Sequence, residues 1–331
     1  MKNRKIALKN RPVGMPLLSD FSNEEELMPV NREGEILLKS VYVSVDPYLR
    51  GKMNGTHPPI FELNEPVASK IIAEVIESNN ENFKKGDYVS GYLNWVAYQV
   101  SDGNELQKID STTASLSAYL GVLGITGLSA YIALMDIGKP KKGETMVVSG
   151  AAGAVGTIVG QIGKIMGCKV VGIVSTDEKI VLLKTKFGYD EAINYKTTPD
   201  MKAAIAQLCP EGVDIYFDNV GGTISDGVIA NMNNYGRIPV CGTISNYNDI
   251  EEQTGPSLLP IVVYKFLTIQ GFLIGDHAAR FPEVIAQLVA WLKDGKITYS
   301  ETIIEGFDKL PEAFIGLFAG RNEGKMIVKI N

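Results

Sequence analysis

The sequence predicts a two-domain α/β protein: a doubly wound parallel sheet with helices on both faces, inserted into a second, β-rich domain. Three observations predict it. Strands and helices alternate regularly between residues 145 and 241. Short strand-like runs separated by turns fill most of residues 1–125. The tail, 298–330, returns to short β segments around one helix, as if it completed the first domain. A length of 331 residues exceeds one ordinary core and suits two. The hydrophobic fraction, 45%, and the charged fraction, 21%, are those of a globular chain.

In the first domain, residues 35–45 and 69–77 are strand candidates, a turn at 84–87 precedes a short strand, and 95–100 adds another. The texture changes at 116–135, which is rich in Gly, Ala and Leu and reads as helical with breaks. After a polar turn at 138–143 come strands at 145–149, 169–174, 191–194, 213–218 and 235–241. Helices at 155–166, 177–187, 200–208 and 223–232 alternate with them, and further helices are expected at 281–293 and 311–319. The domains are accordingly 1–125 with 298–331, and 126–297.

Net charge is −6 with acids and bases interspersed, which argues against a nucleic-acid partner. Cys168, Cys209 and Cys241 are too scattered for a disulfide framework. No sustained apolar stretch follows Met1-Lys2-Asn3-Arg4-Lys5, and Pro260, Lys265 and Gln270 interrupt the apolar window 258–273. A cytoplasmic protein without membrane association is expected.

The strongest chemical motif is Val147-Val148-Ser149-Gly150-Ala151-Ala152-Gly153-Ala154-Val155-Gly156: an apolar strand, a glycine-rich turn, then a helix. Gly150 and Gly153 allow a tight turn and close backbone approach to a pyrophosphate. Gly156 lets the helix pack against the strand. The helix N-terminus offers free N–H groups and partial positive charge. The following strand, Val170-Val171-Gly172-Ile173-Val174, ends in Ser175-Thr176, where a protein that holds an unphosphorylated ribose usually has an acid. Asp177 and Glu178 come later and are expected to cap the next helix; Lys179 stands in its first turn. Ser175 and Lys179 would accept a ribose 2′-phosphate that an acid would repel, so NADPH is the expected cofactor.

A catalytic zinc is not expected. The histidines, His57 and His277, are far apart, and no cysteine precedes Cys168. Neither histidine sits beside a nucleophile motif. His57, before Pro58-Pro59, reads as an exposed loop residue.

These motifs, with Ile193-Asn194-Tyr195-Lys196, Phe217-Asp218-Asn219-Val220-Gly221-Gly222 and Cys241-Gly242-Thr243-Ile244-Ser245, resemble the medium-chain dehydrogenase/reductase superfamily. Ser44-Val45-Asp46-Pro47-Tyr48-Leu49-Arg50, the run from Gly124 to Tyr131 and Gly324-Lys325-Met326-Ile327-Val328 are similar to its zinc-independent branch of prostaglandin reductases, leukotriene dehydrogenases and alkenal double-bond reductases. Thr126 stands where these proteins often carry proline. The resemblance implies a GroES-like β-barrel domain interrupted by a Rossmann domain. It implies Gly153, Val155 and Gly156 at the cofactor phosphates, and Lys179 and Tyr195 at the 2′-phosphate. Asn219, Cys241 and Gly242 would lie at strand ends beside the cofactor, with Tyr247 over a ribose. Asn322 would reach the cofactor from the returning tail, and Phe272, Leu273 and Ile274 would form an apolar wall near the nicotinamide.

Without zinc, alcohol oxidation is harder to support than hydride addition to the carbon–carbon double bond of an enone or alkenal. That reaction leaves an enolate, which a hydrogen-bond donor must stabilise before the α carbon is protonated. Tyr264 matches a family tyrosine near the substrate carbonyl; Tyr48 and Tyr247 are further candidates. Two other readings stay open: a quinone oxidoreductase, and a cofactor-binding structural or regulatory protein without useful turnover. The assembly is open as well, a homodimer being common in such proteins.

Overall fold

The computed structural model describes residues 2–55, 58–251 and 253–331. His57 lies outside them. The chain divides into two compact units, Met1–Gly121 with Glu301–Asn331, and Val122–Ser300.

In the first unit, β1 (Lys2–Leu8) and β2 (Phe21–Leu27) form an antiparallel pair. The sequence pattern did not predict it, because Phe-Ser-Asn-Glu-Glu-Glu-Leu carries one buried residue, Phe21, and an otherwise polar face. Next come β3 (Ile36–Ser44), the short helix α1 (Leu49–Asn54), β4 (Ala68–Ser78), β5 (Tyr88–Asn94), β6 (Tyr98–Ser101) and β7 (Gln107–Lys108). The tail adds β14 (Glu301–Glu305) and β15 (Lys325–Lys329), and the main sheet runs β14-β15-β3-β4-β5-β7, with β6 paired to β3. The tail thus completes the sheet through an antiparallel β15–β3 ladder. Trp95, fully buried, anchors this core beside Phe21 and donates its indole N–H to Ser69 Oγ at 2.8 Å.

The expected broken helix at 116–135 resolves into a 3₁₀ turn, Leu116–Leu120, then α2 (Ile125–Ala133) and a π turn, Leu134–Gly138. Gly127 explains the tight entry into α2: a Cβ there would lie 1.8 Å from the Val122 carbonyl oxygen.

The second unit continues with β8 (Thr145–Ser149), α3 (Gly156–Ile165), β9 (Lys169–Val174), α4 (Asp177–Lys186), β10 (Glu191–Asn194), α5 (Met201–Leu208), β11 (Val213–Phe217), α6 (Gly222–Ile229), β12 (Met232–Val240), α7 (Leu259–Lys265), β13 (Thr268–Gly271) and α8 (Phe281–Lys293). Its sheet is parallel throughout, in the order β10-β9-β8-β11-β12-β13. The winding therefore reverses beside β8, the first strand, which makes the loops there the place for a ligand. The helix expected at 223–232 stops at Ile229, because Met232 is already paired with Val213 in the sheet. Between the last strands of the first unit lies α9 (Leu310–Phe318). No helix among the described residues is long and apolar enough to cross a membrane.

Candidate functional site

The glycine-rich turn joins β8 to α3. Gly150 takes φ +59°, a left-handed conformation that a side chain rarely adopts. The Gly153 N–H donates to the Gly150 carbonyl at 3.0 Å, and the Thr157 N–H to the Gly153 carbonyl at 3.0 Å. A Cβ on Gly156 would lie 2.5 Å from the Gly150 oxygen and 2.6 Å from Ala151 Cα. On Gly153 the nearest atom would be the Gly150 oxygen, at 3.2 Å. Buried Tyr189 locks the turn by donating its hydroxyl to the Gly156 carbonyl at 2.6 Å. Val155 is the residue before α3, so the first-turn N–H groups open ahead of the helix, where an anion is favoured.

The two glycines therefore have separable roles. Gly156→Ala is expected to destabilise the fold by about 1–3 kcal/mol, since the methyl meets backbone that has to move. Gly153→Ala should cost clearly less. Urea unfolding of both variants measures this; equal midpoints would remove the packing role from Gly156.

At the tip of β9, Ser175 is half-buried and Thr176 caps α4, its Oγ1 accepting the Lys179 N–H at 3.3 Å. This corrects the expectation that Asp177 or Glu178 would be the cap. Those acids occupy the first turn instead, and the Asp177 carboxylate accepts from Asn194 Nδ2 at 2.8 Å. The Tyr195 N–H donates to the Val174 carbonyl at 2.9 Å, which sets Tyr195 beside the same strand tip. Ser175, Lys179 and Tyr195 thus all stand at or just beyond the C-terminal tips of the neighbouring strands β9 and β10.

At the tip of β11, Asn219 Nδ2 donates to the Ser149 carbonyl at 2.8 Å, tying that tip to β8. The Cys241 and Gly242 N–H groups donate to the Asp218 carbonyl at 2.8 and 3.3 Å. The Tyr247 hydroxyl accepts from the Thr243 N–H at 3.4 Å and would lie 3.0 Å from a Cβ on Gly242. Asn219, Cys241, Gly242 and Tyr247 therefore form one contiguous wall. Burial pushes the Cys241 thiol up to about 12, with the Asp218 carboxylate adding to the effect. The buried Cys168 and Cys209 thiols are pushed up to about 11 for the same first reason, so these are packing residues.

Pattern reading missed the group that holds this wall together. The Asp218 side chain is 5% exposed. Its Oδ1 accepts from Ser149 Oγ (2.9 Å), the Tyr216 hydroxyl (2.9 Å), and the Val220 and Gly221 N–H groups (2.9 and 3.0 Å). Its Oδ2 accepts from Ser225 Oγ at 2.6 Å. The signal in the sequence was an acid ending an apolar strand just ahead of two glycines.

The remaining expected residues are dispersed. Tyr264 lies on α7 and is 80% exposed. Phe272 is half-buried and Leu273 is 68% exposed, both just after β13. In the first unit, Asn322 Nδ2 donates to the Gly324 carbonyl at 2.8 Å within a local turn. Also in the first unit, Tyr48 precedes α1, half-buried, and its hydroxyl bonds that of Tyr92. Burial first, then the Asp46 carboxylate, holds the Tyr48 phenol well above its ordinary value, so it stays a protonated donor.

A doubly wound parallel sheet with a glycine turn at its switch point and no acid on the adjoining strand tip defines a dinucleotide-binding oxidoreductase fold. Residues 4–109 match a family model described as the N-terminal domain of oxidoreductase, and residues 154–291 one described as zinc-binding dehydrogenase. The chain is 40% identical to the NADPH-dependent curcumin reductase of Escherichia coli (strain K12), over 99% of this chain and 97% of that one. It is 40% identical to the NADP⁺-dependent 2-alkenal reductase of Nicotiana tabacum, over 100% and 98%. The crystal structure of CurA from Vibrio vulnificus in complex with NADPH superposes with a TM-score of 0.93 at 40% identity, covering 99% of each chain.

The chain belongs to the zinc-independent branch of the medium-chain dehydrogenase/reductase superfamily, the branch of the curcumin, alkenal and prostaglandin reductases. The zinc of the second description has no fitting donor set here: among the described residues no three His, Cys, Asp or Glu side chains gather as metal ligands.

Proposed function

We propose that this protein reduces the carbon–carbon double bond of α,β-unsaturated aldehydes or ketones, with NADPH as reductant and no metal. The observation that carries this reading is the likeness, along the whole chain, to reductases of curcumin and of 2-alkenals. The turn from Gly150 to Gly156 fits a dinucleotide, because it sets the first-turn N–H groups of α3 at the switch point of the sheet, where an anion is favoured. When bound, NADPH supplies the hydride equivalent. Gly153, Val155 and Gly156 would hold its phosphates, and Ser175, Lys179 and Tyr195 its 2′-phosphate. Asn219, Cys241, Gly242 and Tyr247 would line the cofactor on the β11 and β12 side, with Phe272, Leu273 and Asn322 as further contacts. Tyr264, or in its place Tyr48, would donate a hydrogen bond to the substrate oxygen as it gains enolate charge.

The assembly we favour is a homodimer in the cytoplasm. Strand β13 closes one edge of the parallel sheet, and among the described residues no further strand lies beside it. Around it Leu259, Val263, Tyr264, Phe266, Ile269 and Leu273 are all exposed, a surface and an open ladder that a second copy would cover. The three cysteines are free, in keeping with a reducing compartment.

The test is NADPH oxidation with nonenal, against a quinone and against no substrate. Turnover with nonenal alone is expected. A rate with nonenal no higher than the blank would overturn the reading. Cofactor choice follows from the strand tip. Lys179→Ala is expected to weaken NADPH by about 1.5–3 kcal/mol, roughly ten- to hundredfold, and NADH much less. Equal weakening of both would remove Lys179 from the 2′-phosphate site.

A further inference from the structure

Lys52 stands on α1, one helical turn after Tyr48, and is 9% exposed. Its Nζ lies 5.0 Å from the centroid of the Tyr92 ring and 5.8 Å from that of Phe61. Among the described residues no carboxylate pairs with it, and burial alone lowers its pKa from the ordinary value. Two other lysines of the same unit show the contrast. Lys325 reaches Asp46 Oδ1 at 2.9 Å, the Val45 carbonyl at 2.8 Å and the Met326 carbonyl at 3.1 Å. Lys70, the cross-strand neighbour of Tyr92, has the Glu105 carboxylate to offset its burial. Aromatic faces attract a cation but do not replace an anion. Desolvation without an anion favours the neutral amine, which is the nucleophilic form. The thiols that would ordinarily compete for a soft electrophile are withheld. Burial pushes Cys168 and Cys209 up to about 11 and Cys241 up to about 12, so little thiolate is present near neutrality.

We propose that Lys52 is a covalent modification site for 2-alkenals, its Nζ adding to the β carbon of the double bond. The inference rests on the enone-reductase reading, which brings an alkenal to the chain. The carbon that takes a hydride is also the one open to an amine. In the step, the Nζ lone pair forms a bond to the β carbon and the π pair of the double bond moves toward the carbonyl. Nζ then releases a proton and the α carbon takes one up. The product is a secondary amine carrying a saturated aldehyde. Nothing is oxidised or reduced overall, and no further reactant is consumed. Hydrogen-bond donors that stabilise an enolate serve this addition as they serve hydride transfer. The Tyr48–Tyr92 hydroxyl pair supplies such donors one helical turn from Lys52, and Tyr92, 42% exposed, leaves the pair open to a small molecule on that side. Turnover with NADPH would then protect the chain, because saturating the double bond removes the electrophile.

The experiment incubates the folded wild-type chain with 2-nonenal and no NADPH, reduces the adducts with borohydride, and maps them by peptide mass spectrometry over time. Lys52 is expected to take up one nonenal about tenfold faster than exposed lysines such as Lys85 and Lys202. The added mass should retain the aldehyde oxygen. Urea-unfolded chain should lose the preference, since the amine is then solvated like the others. In Lys52→Met the fast phase of labelling should vanish and the slow labelling of the exposed lysines remain. Labelling of Lys52 no faster than of Lys85 and Lys202 overturns the site. So does labelling that reaches a histidine or a cysteine first, or a preference that survives unfolding. An adduct that has lost the oxygen as water, an imine, overturns addition to the β carbon. Turnover of 2-nonenal with NADPH is measured on the same preparation. A chain that turns nonenal over but leaves Lys52 unmodified keeps the reductase reading and overturns the site. One that is modified at Lys52 without turnover keeps the site and overturns the reading.

Discussion

Asp218→Ala is expected to destabilise the second unit by about 3–5 kcal/mol, a large share of the stability of an ordinary domain. The reason is the number of donors left without an acceptor. Ser149, Tyr216 and Ser225 aim hydroxyls at this carboxylate, and Val220 and Gly221 aim N–H groups. Hydrogen bonds to a charged acceptor contribute about 1.5–3 kcal/mol each, and buried donors that lose one carry the desolvation cost. Some of that is recovered, since Tyr216 and Ser225 can bond each other at their present 2.9 Å. Asp218→Asn should be much milder. Its amide oxygen takes the place of Oδ1, and its NH₂ donates to Ser225 Oγ. The variants also differ at the cofactor wall, because the Asp218 carboxyl holds the turn that presents Asn219. Urea midpoints and NADPH titration of both variants check this. An alanine variant with the wild-type midpoint would show that these donors find other partners.

Much of the fold was legible in the residues, for reasons that can be named. Alternating apolar strands and amphipathic helices between 145 and 241 can bury their faces only as a parallel sheet covered on both sides. Gly150 takes a left-handed φ and Gly156 permits a backbone contact that a Cβ would forbid, so they mark the turn wherever the sheet places it. What stayed hidden depends on tertiary contact. Whether Asp218 is a solvated strand end or a buried acceptor is decided by Ser149, 69 residues away in sequence, and Ser225 on the next helix, both ordinary as serines. The cap of α4 was misassigned because Thr176, Asp177 and Glu178 are all suited to helix N-termini. Only the extended backbone of Thr176 singles it out.

An oxyanion donor is worth most where water is excluded, since its field is then little screened. In the single chain Tyr264 is 80% exposed, which is a poor setting for that role. Its place on α7, immediately before the open edge strand β13, puts it on the surface that a second copy would cover. A dry Tyr264 donor and the homodimer are therefore linked proposals. Tyr264→Phe keeps the ring and removes the donor. Its turnover number is expected to fall by about 10²–10³, as for other lost oxyanion donors, with NADPH affinity and folding nearly unchanged. The rate per chain should also fall on dilution below the dimer's dissociation constant, and in Tyr264→Phe that dependence should be much weaker. Tyr48→Phe is the companion variant. Tyr48 has the half-buried, hydrogen-bonded phenol that Tyr264 lacks in one chain. A Tyr264→Phe enzyme with full turnover, beside a Tyr48→Phe enzyme that has lost it, would transfer the donor role to Tyr48. It would also leave the β13 surface without a part in the chemistry.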